Sequence, residues 1–297
     1  MRTNRLIVPT NIGSGKINGA HHIAYTEWGD PHNPHVVICV HGLTRNCRDF
    51  DFLARALETR CRVFCVDVVG RGQSGWLDNA QDYDHYQLYI ADAISLLTYI
   101  CDQYNGNLKI DWVGISMGGL IGMMAAIQST VPIHRLVMSD IGPLIPVAAL
   151  KRMSAYVGKD MHFGSFEELE AYVKQISAPF GPLTDDQWRH LAIHSMRKFN
   201  DGTYGFRYDP KISVSFKEHA LQDDVDLWEY WDKLQVPTLV VRGAESDVLL
   251  EKTATEMQLR GPKAKIVELP GIGHAPILLD NKQIAIVKNF LLPHQHA

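Results

Sequence analysis

The chain has 297 residues, of which 46% are hydrophobic and 21% charged, with a formal net charge of −4. That balance allows a sizeable globular core, and mild acidity without a basic run argues against a nucleic-acid partner. The 5 cysteines (Cys39, Cys47, Cys61, Cys65, Cys101) are odd in number and irregularly spaced, which excludes a disulfide framework.

The opening "MRTNRLIVPTNIGSG" has one apolar run, "LIVP", too short for a signal-peptide core. No apolar run of about 18 residues is available to span a membrane. A cytoplasmic, reducing setting is therefore expected. "HHIAYTEWG" (21–29) reads as an antiparallel edge strand, and "HVVICVHG" (35–42) as a buried parallel strand. "RDFDFLARALETR" (48–60) has helical spacing, and "CRVFCVDVVG" (61–70) is a second buried strand. A long amphipathic helix follows at 85–104. Then come a strand at 108–116, a buried helix at 117–128 and a strand at 134–142. This rhythm means an α/β fold, a mostly parallel, doubly wound sheet with helices on both faces.

The alternation stops at Pro143. From there to Trp231 the sequence reads as helices without a buried strand. "SFEE" (165–168) and "TDDQ" (184–187) are capping-box patterns, and "GTYGFRYDP" (202–210) is loop-like. Strands return at 236–243 and 264–271, with helices near 251–260 and 281–292. The expected organisation is a core of 1–142 and 232–297, interrupted by a helical insertion at 143–231 that covers something functional. "LWEYW" (227–231) reads as core rather than an exposed face, and the terminal "PHQHA" as a frayed end.

"GISMGG" (114–119) sits between a buried strand and a helix. This is the G-x-S-x-G pattern in its confirming context, with Ser116 at a tight turn and at a helix N-terminus. Its hydroxyl needs a base. On such a scaffold the order is Ser, then Asp or Glu, then His. Asp247 in "RGAESDVL" and His274 in "GIGHAPIL" each follow a strand end, where open α/β sheets place ligands. His274 is the expected general base and Asp247 its orienting acid. Asp140 in "VMSDIGP" is the alternative acid, and Glu245 lies two residues before Asp247. Asp247 is preferred because the following "VLL" can anchor the loop while the carboxylate turns inward. Asp140 would then cap the start of the insertion. Leu43 and Met117 N–H are the expected oxyanion donors, with His41 orienting the His-Gly turn. Arg45 and Arg48 read as solvated helix-start charges, with substrate-carboxylate binding as the alternative. Gly70 and Gly72 read as turn glycines, since their loop lacks a phosphate-binding signature. Cys61 and Cys65 lack a second ligand pair at zinc spacing.

Together "HGLTR", "DVVGRGQS", "GISMGG", "RGAESDVL" and "GIGHAP" resemble the α/β-hydrolase superfamily along almost the whole chain, the insertion resembling its helical cap. The resemblance is to the serine-nucleophile esterase and lactonase type. It implies hydrolysis of a small-molecule carboxylic ester through an acyl-enzyme on Ser116, by a monomer or homodimer, without metal or organic cofactor. A lactonase or a carbon–carbon bond hydrolase is the alternative chemistry. A hydrolase-fold small-molecule receptor is the non-enzymatic alternative. Dehalogenases and epoxide hydrolases of this fold carry Asp where this chain has Ser116.

Overall fold

The computed structural model describes residues 1–12, 15–214 and 222–293, with side chains from 10 to 18 left aside. Most of the terminal "PHQHA" lies outside the described residues.

The strands are β1 (Arg2–Ile12), β2 (Gly15–Trp28), β3 (His35–Val40), β4 (Arg62–Asp67), β5 (Lys109–Ile115), β6 (Ile133–Ser139), β7 (Leu144–Ile145), β8 (Met196–Lys198), β9 (Tyr204–Phe206), β10 (Val225–Asp226), β11 (Thr238–Gly243) and β12 (Lys265–Leu269). The helices are α1 (Asp51–Leu57), α2 (Tyr86–Cys101), α3 (Met117–Gln128), α4 (Val147–Ser154), α5 (Phe166–Ile176), α6 (Asp185–Ser195), α7 (Trp228–Lys233), α8 (Glu251–Met257) and α9 (Asn281–Leu291).

Among the described residues the main sheet has eight strands in the order β1-β2-β4-β3-β5-β6-β11-β12. The β1–β2 and β2–β4 pairs are antiparallel and the rest parallel. β2 is therefore not the edge strand expected from its sequence; β1 covers it.

The continuous apolar runs follow from burial on both sheet faces. In β3, Val36, Ile38 and Val40 enter one core while Val37 and Cys39 enter the other. The first core is closed by α2, α3 and α8, through residues such as Leu88, Met123 and Met257. The second is closed by α1 and α9, through Leu53, Leu57, Val287 and Leu291.

Between β6 and β11 lie α4, α5, α6 and α7. Thr184 and Gln187 form a complete capping box at the start of α6. At α5, Ser165 accepts from the Glu168 N–H, but the Glu168 carboxylate turns to the Gly164 N–H. The segment is not purely helical. β7 pairs with β10 and β8 with β9, so part of the stretch read as a loop at 202–210 is a strand. Trp228 and Trp231 are buried, and the Trp231 indole N–H donates to the Arg260 carbonyl at 3.1 Å, so "LWEYW" is core.

Parallel strands expose their C-terminal ends along one sheet edge. The loops after β3, β4, β5, β6, β11 and β12 all open there, and they carry Gly42, Gly70, Ser116, Asp140, Ser246 and His274.

Candidate active site

Ser116 links β5 directly to α3 and has φ 51° and ψ −119°, a backbone conformation that L residues rarely adopt. The surrounding glycines make this turn sterically possible. A Cβ on Gly118 would lie 2.0 Å from the Val40 carbonyl oxygen, and one on Gly114 would lie 2.2 Å from the Gly118 backbone. The helix thus packs against β3 and β5 at a distance only glycine tolerates, and the serine is forced up at the sheet edge.

Ser116 Oγ is 2.9 Å from His274 Nε2. His274 Nδ1 is 2.8 Å from Asp140 Oδ2. Asp140 is fully buried and also accepts from the Gly243 N–H at 2.8 Å and the Ser246 hydroxyl at 2.5 Å. With Asp140 accepting at Nδ1, the proton sits on that nitrogen and Nε2 is left to accept from serine.

The preference for Asp247 is corrected by this arrangement. Its carboxylate forms a two-bond ion pair with Arg152, at 2.5 and 2.9 Å, and the side chain is 47% exposed. Val248 and Leu249 are buried and do anchor the loop. Yet that anchoring turns Ser246 inward and Asp247 outward. Ser246 Oγ accepts from the Val248 and Leu249 N–H groups while donating to Asp140. Asp140, the alternative acid from sequence, is the one beside His274.

Leu43 and Met117 both border the serine: Leu43 lines its cavity, and Met117 opens α3 with an N–H outside the helical ladder. His41 is wholly buried beneath that turn. Its Nε2 accepts from the Val68 N–H at 3.0 Å, so its Nδ1 carries the proton and donates to the Gly42 carbonyl at 2.7 Å. Burial first, with the Arg71 guanidinium adding to it, pushes His41 down to about 4.

Arg71 was not singled out from sequence. It is 1% exposed and ties both candidate donor residues together. Its Nε donates to the Leu43 carbonyl at 2.9 Å, Nη1 to the Val69 carbonyl at 2.7 Å, and Nη2 lies 3.9 Å from Met117 Sδ. Tyr83 and Tyr89 flank the guanidinium. The signal available in sequence was an arginine between two turn glycines, Gly70 and Gly72, both of which have positive φ.

Arg45 and Arg48 are not solvated charges. Arg45 binds both Asp49 oxygens at 2.8 and 2.6 Å and the Ser195 hydroxyl at 2.9 Å, while Arg48 chelates Asp51. Asp51, His190 and His194 offer donor atoms within 4.8 Å of one another. That cluster fits a metal poorly. Arg48 already occupies the Asp51 carboxylate, and His190 Nε2 donates to the Arg48 carbonyl at 2.9 Å.

The serine opens into a narrow cavity of about 80 Å³. Its walls combine core loops with the inserted segment: Met153 and Tyr156 near α4, Tyr172 on α5, Phe180 and Phe206. Residues 37–285 match the model of the Alpha/beta hydrolase family. The chain belongs to that family.

A 3-hydroxybutyrate-oligomer hydrolase of Cupriavidus necator is 44% identical over 279 residues, covering 92% of this chain and 93% of the relative. An sn-1-specific diacylglycerol lipase of Danio rerio is 24% identical over 249 residues, covering 80% and 72%. Among solved structures, an alpha/beta hydrolase from Novosphingobium aromaticivorans superimposes with a TM-score of 0.82 at 31% identity, covering 98% of this chain and 97% of the other. This hydrolase is thus of a type whose relatives include ester-cleaving enzymes. No helix among the described residues is long and apolar enough to cross a membrane.

Proposed function

We propose that this hydrolase cleaves small to medium carboxylic esters through an acyl-enzyme on Ser116. The observation that carries this reading is the hydrogen-bonded chain Ser116–His274–Asp140 opening into a cavity. His274 Nε2 takes the proton as Ser116 Oγ attacks the ester carbonyl. Asp140 holds the imidazole in the productive tautomer and stabilises the imidazolium. The Leu43 and Met117 N–H groups face the developing oxyanion, where the positive end of α3 adds to them. Collapse expels the alcohol with the proton from His274, and water then releases the acid by the same route.

Short hydroxy-acid oligoesters are the substrate class favoured by the Cupriavidus necator relative and by the narrow cavity. Residues 143–231 act as a cap that limits acyl length and excludes water. A 4-nitrophenyl ester chain-length series run beside a lactone panel tests the reading. Wild type hydrolyses the short to medium esters best. Ser116→Ala, at unchanged Tm, loses at least about 10³-fold in kcat. Normal turnover by Ser116→Ala overturns the reading.

A further inference from the structure

Among the described residues, two guanidinium groups and no carboxylate line the cavity above Ser116. Arg45 is spoken for, since Asp49 and Ser195 occupy its fork and its side chain is only 11% exposed. Arg152 is different. It sits in the last turn of α4, where a cation is favoured, and its side chain is 41% exposed. Its partner Asp247 comes from the loop after β11 and is itself half-exposed. An ion pair this open to water is screened by salt and reachable from solvent, so another carboxylate can compete with Asp247 for the guanidinium. The guanidinium fork suits that exchange, because it presents two parallel N–H donors to any carboxylate.

We infer that Arg152 is a carboxylate-binding subsite: Asp247 holds it in the resting enzyme, and a free carboxylate on the ester substrate displaces Asp247. The substrates selected are esters bearing a carboxylate a few bonds from the scissile carbonyl, in preference to neutral esters of the same size. This rests on the reading that Ser116 cleaves esters, and it deepens that reading by naming what the substrate must carry. Asp247 then has a task its sequence position does not suggest: it keeps the cation folded over the site until an anion arrives.

The test uses two matched pairs of esters. In one, the carboxylate is on the leaving group: 4-(butanoyloxy)benzoate against its methyl ester. In the other it is on the acyl group: mono-4-nitrophenyl succinate against 4-nitrophenyl pentanoate. The quantity read is the charged-to-neutral ratio of kcat/KM. At least one pair shows a ratio above one in wild type, decreasing as salt is raised. Arg152→Gln lowers that ratio by about tenfold, through KM rather than kcat, and Arg152→Lys retains part of it. Asp247→Asn raises it, because the competing carboxylate is gone. Should Arg152→Gln fail to fold, the Arg152→Lys and Asp247→Asn ratios decide the question alone. Neutral esters hydrolysed with no charged preference in either pair overturn the subsite and leave the hydrolase reading standing. So does a ratio that Arg152→Gln and Asp247→Asn both leave unmoved. No hydrolysis of any of the four esters overturns the hydrolase reading, and the subsite with it.

Discussion

His41 is held neutral by the groups around it. Its two ring nitrogens are committed to the Val68 N–H and the Gly42 carbonyl, so a second proton breaks the bond to Val68. With the value lowered to about 4 by burial, the folded state binds fewer protons than the unfolded chain between that point and the ordinary histidine value of about 6.5. The stability this provides is complete above about pH 6.5 and is lost as pH falls toward 4, on the order of 3 kcal/mol. His194 is displaced in the same direction, to about 3, by burial and then by Arg48. Denaturant melts at pH 7, 5.5 and 4.5 check this: midpoints should fall steadily, and the fall should be shallower in His41→Gln. Midpoints independent of pH over that interval contradict it. The same scale shows what sequence leaves open. Ser116 and His274 are legible because each has one strand end to sit on. The acid is not, because β6 and β11 are neighbours and each ends in a loop carrying aspartate. Which of the two turns inward depends on the burial of Val248 and Leu249, which sends Ser246 toward Asp140 and Asp247 out to Arg152.

At the scale of elements, the strand–turn–helix around Ser116 is fixed by close approach. Gly118→Ala places a methyl group against the Val40 carbonyl, a fixed backbone atom, so β3 and α3 must separate. A loss of about 2–3 kcal/mol or more is expected, together with loss of activity. A Tm equal to wild type contradicts that packing. Arg71 works between elements, joining the loops after β3 and β4 to the first residue of α3. Arg71→Met should lower kcat by about tenfold or more while moving KM little, and Arg71→Lys should recover part of the loss. Equal effects on kcat and KM favour a purely structural role. The parallel strands are legible as elements because burial on both faces writes continuous apolar runs. β1 is not: "RTNRLIVPTNI" buries Val8 while Ile7 is 69% exposed, the mixed pattern of a strand at an edge. β8 and β9 have three residues each and escape detection for want of a period to measure.

For the whole molecule, the parallel sheet brings three distant stretches of chain to one edge. Ser116, Asp140 and His274 follow β5, β6 and β12, and residues of the insertion line the cavity beside Ser116 and His274. Phe180 and Phe206 line the cavity from that insertion, so Phe180→Ala and Phe206→Ala should move the optimum of a nitrophenyl ester series toward longer acyl chains. Greatest activity on emulsified long-chain triglycerides instead makes the insertion a lipase lid. Whether those three residues act as one unit is read most directly by fluorophosphonate labelling, which reports the nucleophile without a natural substrate. Intact and tryptic masses are followed with time in wild type, Asp140→Asn and Asp247→Asn. Wild type should label at Ser116 alone, and Asp140→Asn should slow that labelling at least about a hundredfold more than Asp247→Asn does. Label on another residue, or Asp247→Asn as the slower variant, contradicts the account.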